Sequence, residues 1–162
     1  IENIPIWIYQ WLRDKYINSE LNSNLKFSKK IYIDRSDSSA NSKGLRLITN
    51  EDEVKSCLIN RGFEPMILGN FHFNDQVKIF NNAEIVIGLH GAAFANLCFC
   101  KPGTKVIELG TATTGKMIEN MATINELIHK SISCVPSKYE YNQSGHINVS
   151  IDLLKKVIKD LD

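Results

Sequence analysis

Apolar positions along the chain follow two alternating spacings. From Asn3 and Pro5, a cap and a first-turn proline, Ile8, Trp11, Leu12 and Tyr16 recur three to four residues apart and predict a helix. A polar, turn-rich run follows. Residues 31–35, IYIDR, are short, β-branched and aromatic and predict a strand, with the Ser-, Asp- and Asn-rich SDSSANSKG as a loop at its carboxyl end. Residues 50–62 predict a helix, with Asn50 as cap, Glu53 in capping-box position, Val54, Cys57 and Leu58 inward, and Gly62 at the end. A strand over 64–68 and a short helix over 74–83 come next, the latter with Asn74 as cap and Val77 and Phe80 inward.

EIVIGL, residues 84–89, shows no alternation, so it reads as a strand buried on both faces. GAAFANLCF is helical in pattern and KVIEL, 105–109, is a strand. Residues 116–130 place Met117, Met121, Ile124 and Ile128 on one helical stripe, and ISCVP, 132–136, is a last strand. A closing helix turns Leu154, Val157, Ile158 and Leu161 inward, with Asp152 and Lys159 suited to its dipole. This alternation predicts an α/β fold: a mostly parallel sheet of about five to six strands between helices, built by right-handed crossovers. Ligands of such sheets bind beyond the carboxyl ends of the strands, where strand order reverses. The loops after residues 35, 68, 89 and 109 are therefore the functional ones.

Composition narrows the function. The 162 residues suffice for one domain, 43% hydrophobic and 23% charged, as in ordinary globular proteins. A net charge of +1 and the lack of a basic stripe exclude broad attraction to nucleic acid or membrane, so a bound anion must be held by a few local groups. No apolar run reaches membrane-spanning length, so no direct membrane insertion is expected from this segment. Cys57, Cys98, Cys100 and Cys134 lack zinc or redox spacing and read as reduced small hydrophobes, which favours a cytoplasmic setting. The tripeptides beginning at Asn142 and Asn148 match a glycosylation sequon. The histidines are scattered without paired ligand spacing, and no metal is expected. The first residue is not Met, so the chain reads as a piece of something longer.

The chemistry concentrates in IVIGLHGAAFANLCF, residues 85–99. Gly88 and Gly91 permit tight or left-handed backbone where a central strand turns into a helix. The first N–H groups of that helix have no internal partner and form a site for phosphate. Ala92 and Ala93 keep side chains away, and His90 can donate to the same anion. Spacing alone leaves a second reading open, in which small residues let the helix pack close to the sheet and His90 caps a carbonyl. GTATTGKM, 110–117, is one residue from a P-loop, but Met117 stands where the magnesium-binding hydroxyl belongs, so it reads as a turn whose amides touch a ligand.

HGAAFAN followed by PGTKVIEL resembles glycosyltransferase family 61, whose members carry H-G-A-G-(L/F)-T-N and then P-G-(S/T)-x-V-I-E. IYIDRSD, RLITNEDEVKSCLINRGFE and NDQVKIFNNAEIVIGLHGA are similar to further family segments in the same order, over most of residues 6–110. The resemblance implies a Rossmann-like three-layer sandwich, the C-terminal donor-binding domain of a GT-B enzyme. Residues 1–162 would form that single domain, with 1–20 as a leading helix, cut from a longer two-domain enzyme.

The activity implied is an inverting transfer of a sugar without a metal. The donor would be a nucleotide-sugar, a UDP-sugar by expectation, used as substrate with no cofactor; the glycan acceptor would be held by an N-terminal domain outside the chain. Arg35 and Arg46 match the family's arginines and could fork onto phosphate. By residues alone they would be a surface ion pair with Asp34 or Asp37 and a solvated loop arginine. Asn50, Glu51, Gln76, His90, Gly91, Ala92, Asn96 and Glu108 complete the donor-binding set that the resemblance implies. Glu108, near the end of a buried strand, needs a partner and reads as structural or donor-orienting. Ala93 and Ala95 depart from the family's Gly and Thr. No catalytic base is assigned. Bacterial members of the family serve capsular polysaccharide synthesis, and eukaryotic ones act in the Golgi or ER lumen. The rival is a non-catalytic nucleotide-binding or interaction module.

Overall fold

The computed structural model describes residues 5–17, 26–36, 46–112, 114–136 and 146–161. Asn3, Asp37, most of the loop after the first strand and the Asn142 sequon lie outside them.

Five parallel strands form the sheet: β1 (Lys30–Asp34), β2 (Glu64–Ile67), β3 (Ile85–Leu89), β4 (Lys105–Gly110) and β5 (Ile128–Ser133), in the order β2-β1-β3-β4-β5. β3 is the middle strand and all five of its residues are buried, as its unbroken apolar run requires. Two short strands, β6 (Val135–Pro136) and β7 (Ile147–Asn148), pair antiparallel in a separate ribbon.

The strand period of two sorts side chains between two cores. Ile31, Ile33, Val86 and Val106 meet α1 (Ile6–Tyr16), α3 (Phe73–Asn82), the 3₁₀ segment Ala92–Phe99 and α4 (Met117–Ile124). Tyr32, Ile85, Ile87, Leu89, Ile107 and Leu109 meet α2 (Glu51–Ile59) and α5 (Ile151–Lys159) on the other face. Fully burying each aliphatic side chain contributes about 1.5–3 kcal/mol. This is the α/β, Rossmann-like three-layer arrangement expected. All four cysteines are buried and free.

Several local expectations are corrected. The helix expected over 116–130 ends at Ile124: Glu126 is left-handed with φ 56°, the Leu127 N–H returns to the Ala122 carbonyl at 2.8 Å, and the Asn125 amide caps the Met121 carbonyl at 2.8 Å. The chain then joins the sheet, because the Ile128 N–H finds the Thr104 carbonyl at 3.0 Å. The last sheet strand is thus 128–133 rather than 132–136, and Ile128 is exposed instead of on a helical stripe. α3 begins at Phe73 with no side-chain cap, so Asn74 does not cap it. In α1 Pro5 sits at the cap position, Tyr9 is buried and Trp11 faces solvent. Arg13 of α1 donates to the Cys98 carbonyl at 2.8 Å and the Cys100 carbonyl at 2.6 Å, a cation on the negative end of the 3₁₀ segment.

Candidate functional site

Strand order reverses between β1 and β3, and their carboxyl ends carry Arg35 and His90–Gly91. Gly91 has φ 166°, ordinary extended backbone, so left-handed geometry is not why it is glycine. A methyl group there would lie 3.1 Å from Arg35 Nη1, a tight contact with the guanidinium tip. Gly88 answers to packing in the same way, since a Cβ would meet Ile33 at 3.1 Å and the Phe94 ring at 3.3 Å.

Beyond Gly91 the chain forms a 3₁₀ segment instead of the α-helix expected. Phe94 donates back to the Gly91 carbonyl at 3.1 Å, and Phe94, Leu97, Cys98 and Phe99 are buried. The N–H groups of Ala92 and Ala93 precede that first bond and have no acceptor within the segment, and Ala92 is exposed.

Arg46 supplies the least expected feature. Sequence alone makes it a solvated loop residue, yet it is 5% exposed and its Nε and Nη1 have no hydrogen-bond partner. Burial, and then the positive charge of Arg35, hold its guanidinium below the usual arginine value, with Glu108 opposing. Two arginines thus lie near enough to repel, and Arg46 keeps spare donors. Unpaired buried donors of this kind are costly to leave without an acceptor. Arg35 is not paired with Asp34, which binds Lys55 at 2.8 Å on the opposite face.

Glu108 lies between two imidazoles. One carboxylate oxygen accepts from His90 Nδ1, the other from His129 Nε2 at 2.8 Å. Burial alone would push this carboxyl up, but the bonds from His129 and His90 outweigh it and hold the group below the usual glutamate value. His90 Nδ1 is committed to Glu108, leaving Nε2 for a ligand. His129 is the residue that sequence reasoning missed. Its signal was the alternating IHKSIS after Asn125, which a helical stripe continued through 128 concealed.

The structure brings Arg35, Arg46, His90, Gly91, Ala92 and Glu108 together, while the side chains of Asn50, Glu51, Gln76 and Asn96 bond protein partners, Asn96 reaching the Ala93 carbonyl at 3.4 Å. Asn50 stands at the N-cap position of α2 and its carbonyl accepts from Val54 at 3.2 Å, but its side chain caps no helical N–H and exchanges two 2.9 Å bonds with Val149 instead. Glu51 accepts from the Tyr32 hydroxyl at 3.1 Å on the face away from Gly91, where burial raises its carboxyl. Gln76 donates to the Leu68 and Phe71 carbonyls at 3.0 and 3.2 Å and accepts from Asn96 at 3.1 Å, a brace between α3 and the 3₁₀ segment.

Among the described residues no group of three or more His, Cys, Asp or Glu side chains is arranged to hold a metal ion. No helix among them is long and apolar enough to cross a membrane.

The chain is thus an α/β domain whose parallel sheet gathers two arginines, a histidine and a glycine near its switch point. The sequence profile of glycosyltransferase 61 matches residues 1–107, and the chain belongs to that family. It is 35% identical over 74 residues to the xylan glycosyltransferase MUCI21 of Arabidopsis thaliana, covering 42% of this chain and 15% of that protein. It is 30% identical over 112 residues to the EGF domain-specific O-linked N-acetylglucosamine transferase of Mus musculus, covering 66% of this chain and 21% of that protein. The chain therefore spans about a fifth or less of the length of these relatives.

Proposed function

We propose that this chain is the donor-binding part of an inverting glycosyltransferase that works without a metal ion. It takes a nucleotide-sugar, a UDP-sugar by preference, whose diphosphate lies against the amides at Ala92 and Ala93. As the bond from sugar to phosphate breaks, negative charge gathers on the departing diphosphate. Stabilising that charge with preoriented donors is the main work required. Arg46 offers Nε and Nη1 without having to break other hydrogen bonds, Arg35 offers a fork across Gly91, and His90 offers Nε2. The Glu108 carboxylate engages His90 Nδ1 and so leaves Nε2 to face the phosphate.

The names of the relatives point to two acceptors, xylan and an EGF domain. Polysaccharide and glycoprotein glycans are accordingly the acceptor classes proposed, capsular polysaccharide being the bacterial counterpart in a cytoplasmic enzyme. The acceptor is held by a domain outside this chain.

The observation that carries this reading is the buried, partnerless guanidinium of Arg46 beside Arg35. Its test is calorimetric titration of pyrophosphate and UDP in the presence of EDTA. Binding persists with the chelator and weakens at least about tenfold, roughly 1.4 kcal/mol, in Arg46→Ala. Affinities untouched by Arg46→Ala and by Arg35→Ala would reject it.

A further inference from the structure

The net charge of +1 averages over an uneven distribution. Cations gather at the amino ends of the strands, the pole opposite Arg35 and His90. Lys29, Lys30, Lys101 and Lys105 line a concavity of about 690 Å³ there. Arg61, Lys155, Lys156 and Lys159 line another of about 590 Å³, between α5 and the turn after α2. Two contacts join these places. Lys30 Nζ lies over the Phe63 ring, 5.7 Å from its centre, and Lys105 Nζ donates to the Leu161 carbonyl just past α5. Among the described residues Glu84 is the one carboxylate lining them, and it pairs with Lys29 at 2.6 Å. Lys101, Lys155, Lys156 and Lys159 are exposed and form no ion pair among the described residues. The sequence shows no basic stripe because folding assembles this one from four separate segments.

Exposed apolar side chains adjoin the same pole. Pro102, which shares the first concavity with Lys101 and Lys105, lines a third one with Ile6 of α1. Tyr9 is the residue that α1 buries, so Ile6 and Trp7 are 58% and 65% exposed, and Trp11, one turn further, is 51% exposed. Ile59, two residues before Arg61, is exposed as well.

This combination selects the partner. A nucleic acid strand or an extended acidic peptide needs one groove that tracks its backbone. Here the cations spread over two concavities, and exposed aliphatic side chains stand beside them. An anionic bilayer meets both features: its headgroups take the ammonium groups, and the polar–apolar boundary takes the aliphatic side chains and the amphipathic indoles. We infer that the amino pole of the sheet, with the outer face of α1, is a docking surface for an anionic lipid bilayer. Strands of five or six residues put about 17–20 Å between the poles, so attachment leaves the carboxyl-end site clear of the lipid. Nothing in this inference depends on what binds at Arg46.

The test is co-sedimentation of the 162-residue chain with phosphatidylcholine vesicles, with and without about 30% phosphatidylserine. Tryptophan emission is read on the same samples. The chain has two tryptophans, Trp7 and Trp11, so the emission reports on α1 alone. Anionic vesicles should bind at least about tenfold more tightly than neutral ones and shift the emission to the blue. Binding should weaken severalfold between about 0.1 and 0.5 M salt. Each lysine close to an anionic surface contributes about fivefold, so replacing Lys101, Lys155, Lys156 and Lys159 together by glutamine should cost at least about tenfold. If that variant melts below the parent, Lys101→Gln and Lys159→Gln decide singly, each losing about two- to fivefold. Equal binding to neutral and anionic vesicles, or glutamine variants that bind as the parent does, overturns the inference. Emission that stays unshifted on bound vesicles overturns it too. Binding of polyglutamate or duplex DNA without binding of anionic vesicles assigns the pole to an acidic macromolecule and overturns it equally.

Discussion

Replacing Arg46 by Met should make the chain more stable and less able to bind. The guanidinium is 5% exposed and leaves Nε and Nη1 unpaired. An unsatisfied buried donor costs about 1–3 kcal/mol. Taking the low end for each of the two atoms gives a relief of about 2 kcal/mol, and removing the repulsion from Arg35 acts in the same direction. Methionine keeps an unbranched stem and adapts to the space vacated. For a domain of this size about 1 kcal/mol moves Tm by roughly 2–4 °C, so ligand-free Arg46→Met should melt about 4–8 °C higher. The ligand reverses the ranking. Pyrophosphate at a hundred times its Kd stabilises the parent by about 2.7 kcal/mol, and the variant should gain little of this. Thermal melts with and without pyrophosphate read both effects. A variant that melts below the parent in plain buffer, or that keeps the full pyrophosphate shift, would refute a binding role for the orphaned guanidinium.

Glu126→Gly should raise stability by about 0.5–1 kcal/mol in urea titrations, because a non-glycine residue holds φ 56° at the end of α4. Glu108 is held below the usual glutamate value, so its contribution is fully present above the unfolded pKa of about 4.3 and is lost as pH falls through the lower folded value. The urea midpoint of the parent should therefore drop more steeply from pH 5 to pH 3 than that of Glu108→Gln, and parallel acid limbs would contradict the assignment. Asn50→Ala should cost about 1–3 kcal/mol in the same assay, since it cuts two bonds to Val149, and leave pyrophosphate affinity unchanged.

The sheet was legible wherever one local pattern was unambiguous. The apolar run of 84–89 could only be a strand covered on both faces, and it is the middle one. Arg35, His90 and Gly91 were legible for the same reason: each sits one or two residues past a recognisable strand. Legibility failed where two periods fit one stretch. Met117, Met121, Ile124 and Ile128 satisfy a helical repeat, while Ile128, Lys130 and Ile132 satisfy a strand, and the left-handed residue at 126 decides between them. That ambiguity hid His129. It also failed for side chains whose partners are remote in sequence. Asn50 meets Val149 ninety-nine positions away and Asn96 meets Gln76 twenty away, so the bracing bonds of these amides could not be read from their local sequence. The burial of Arg46 is likewise a property of neighbours that no local window contains.

The guanidinium of Arg35 lies in close contact with the place a side chain at position 91 would begin, its Nη1 3.1 Å from a Cβ there. Positions 35 and 91 therefore form a single locus for natural variation. A homologue with alanine at 91 would press on the tip of an arginine at 35 and shift it by a few tenths of an ångström, and one without the arginine would feel no such contact. Any such drift moves the reach of the guanidinium rather than the sheet beneath it.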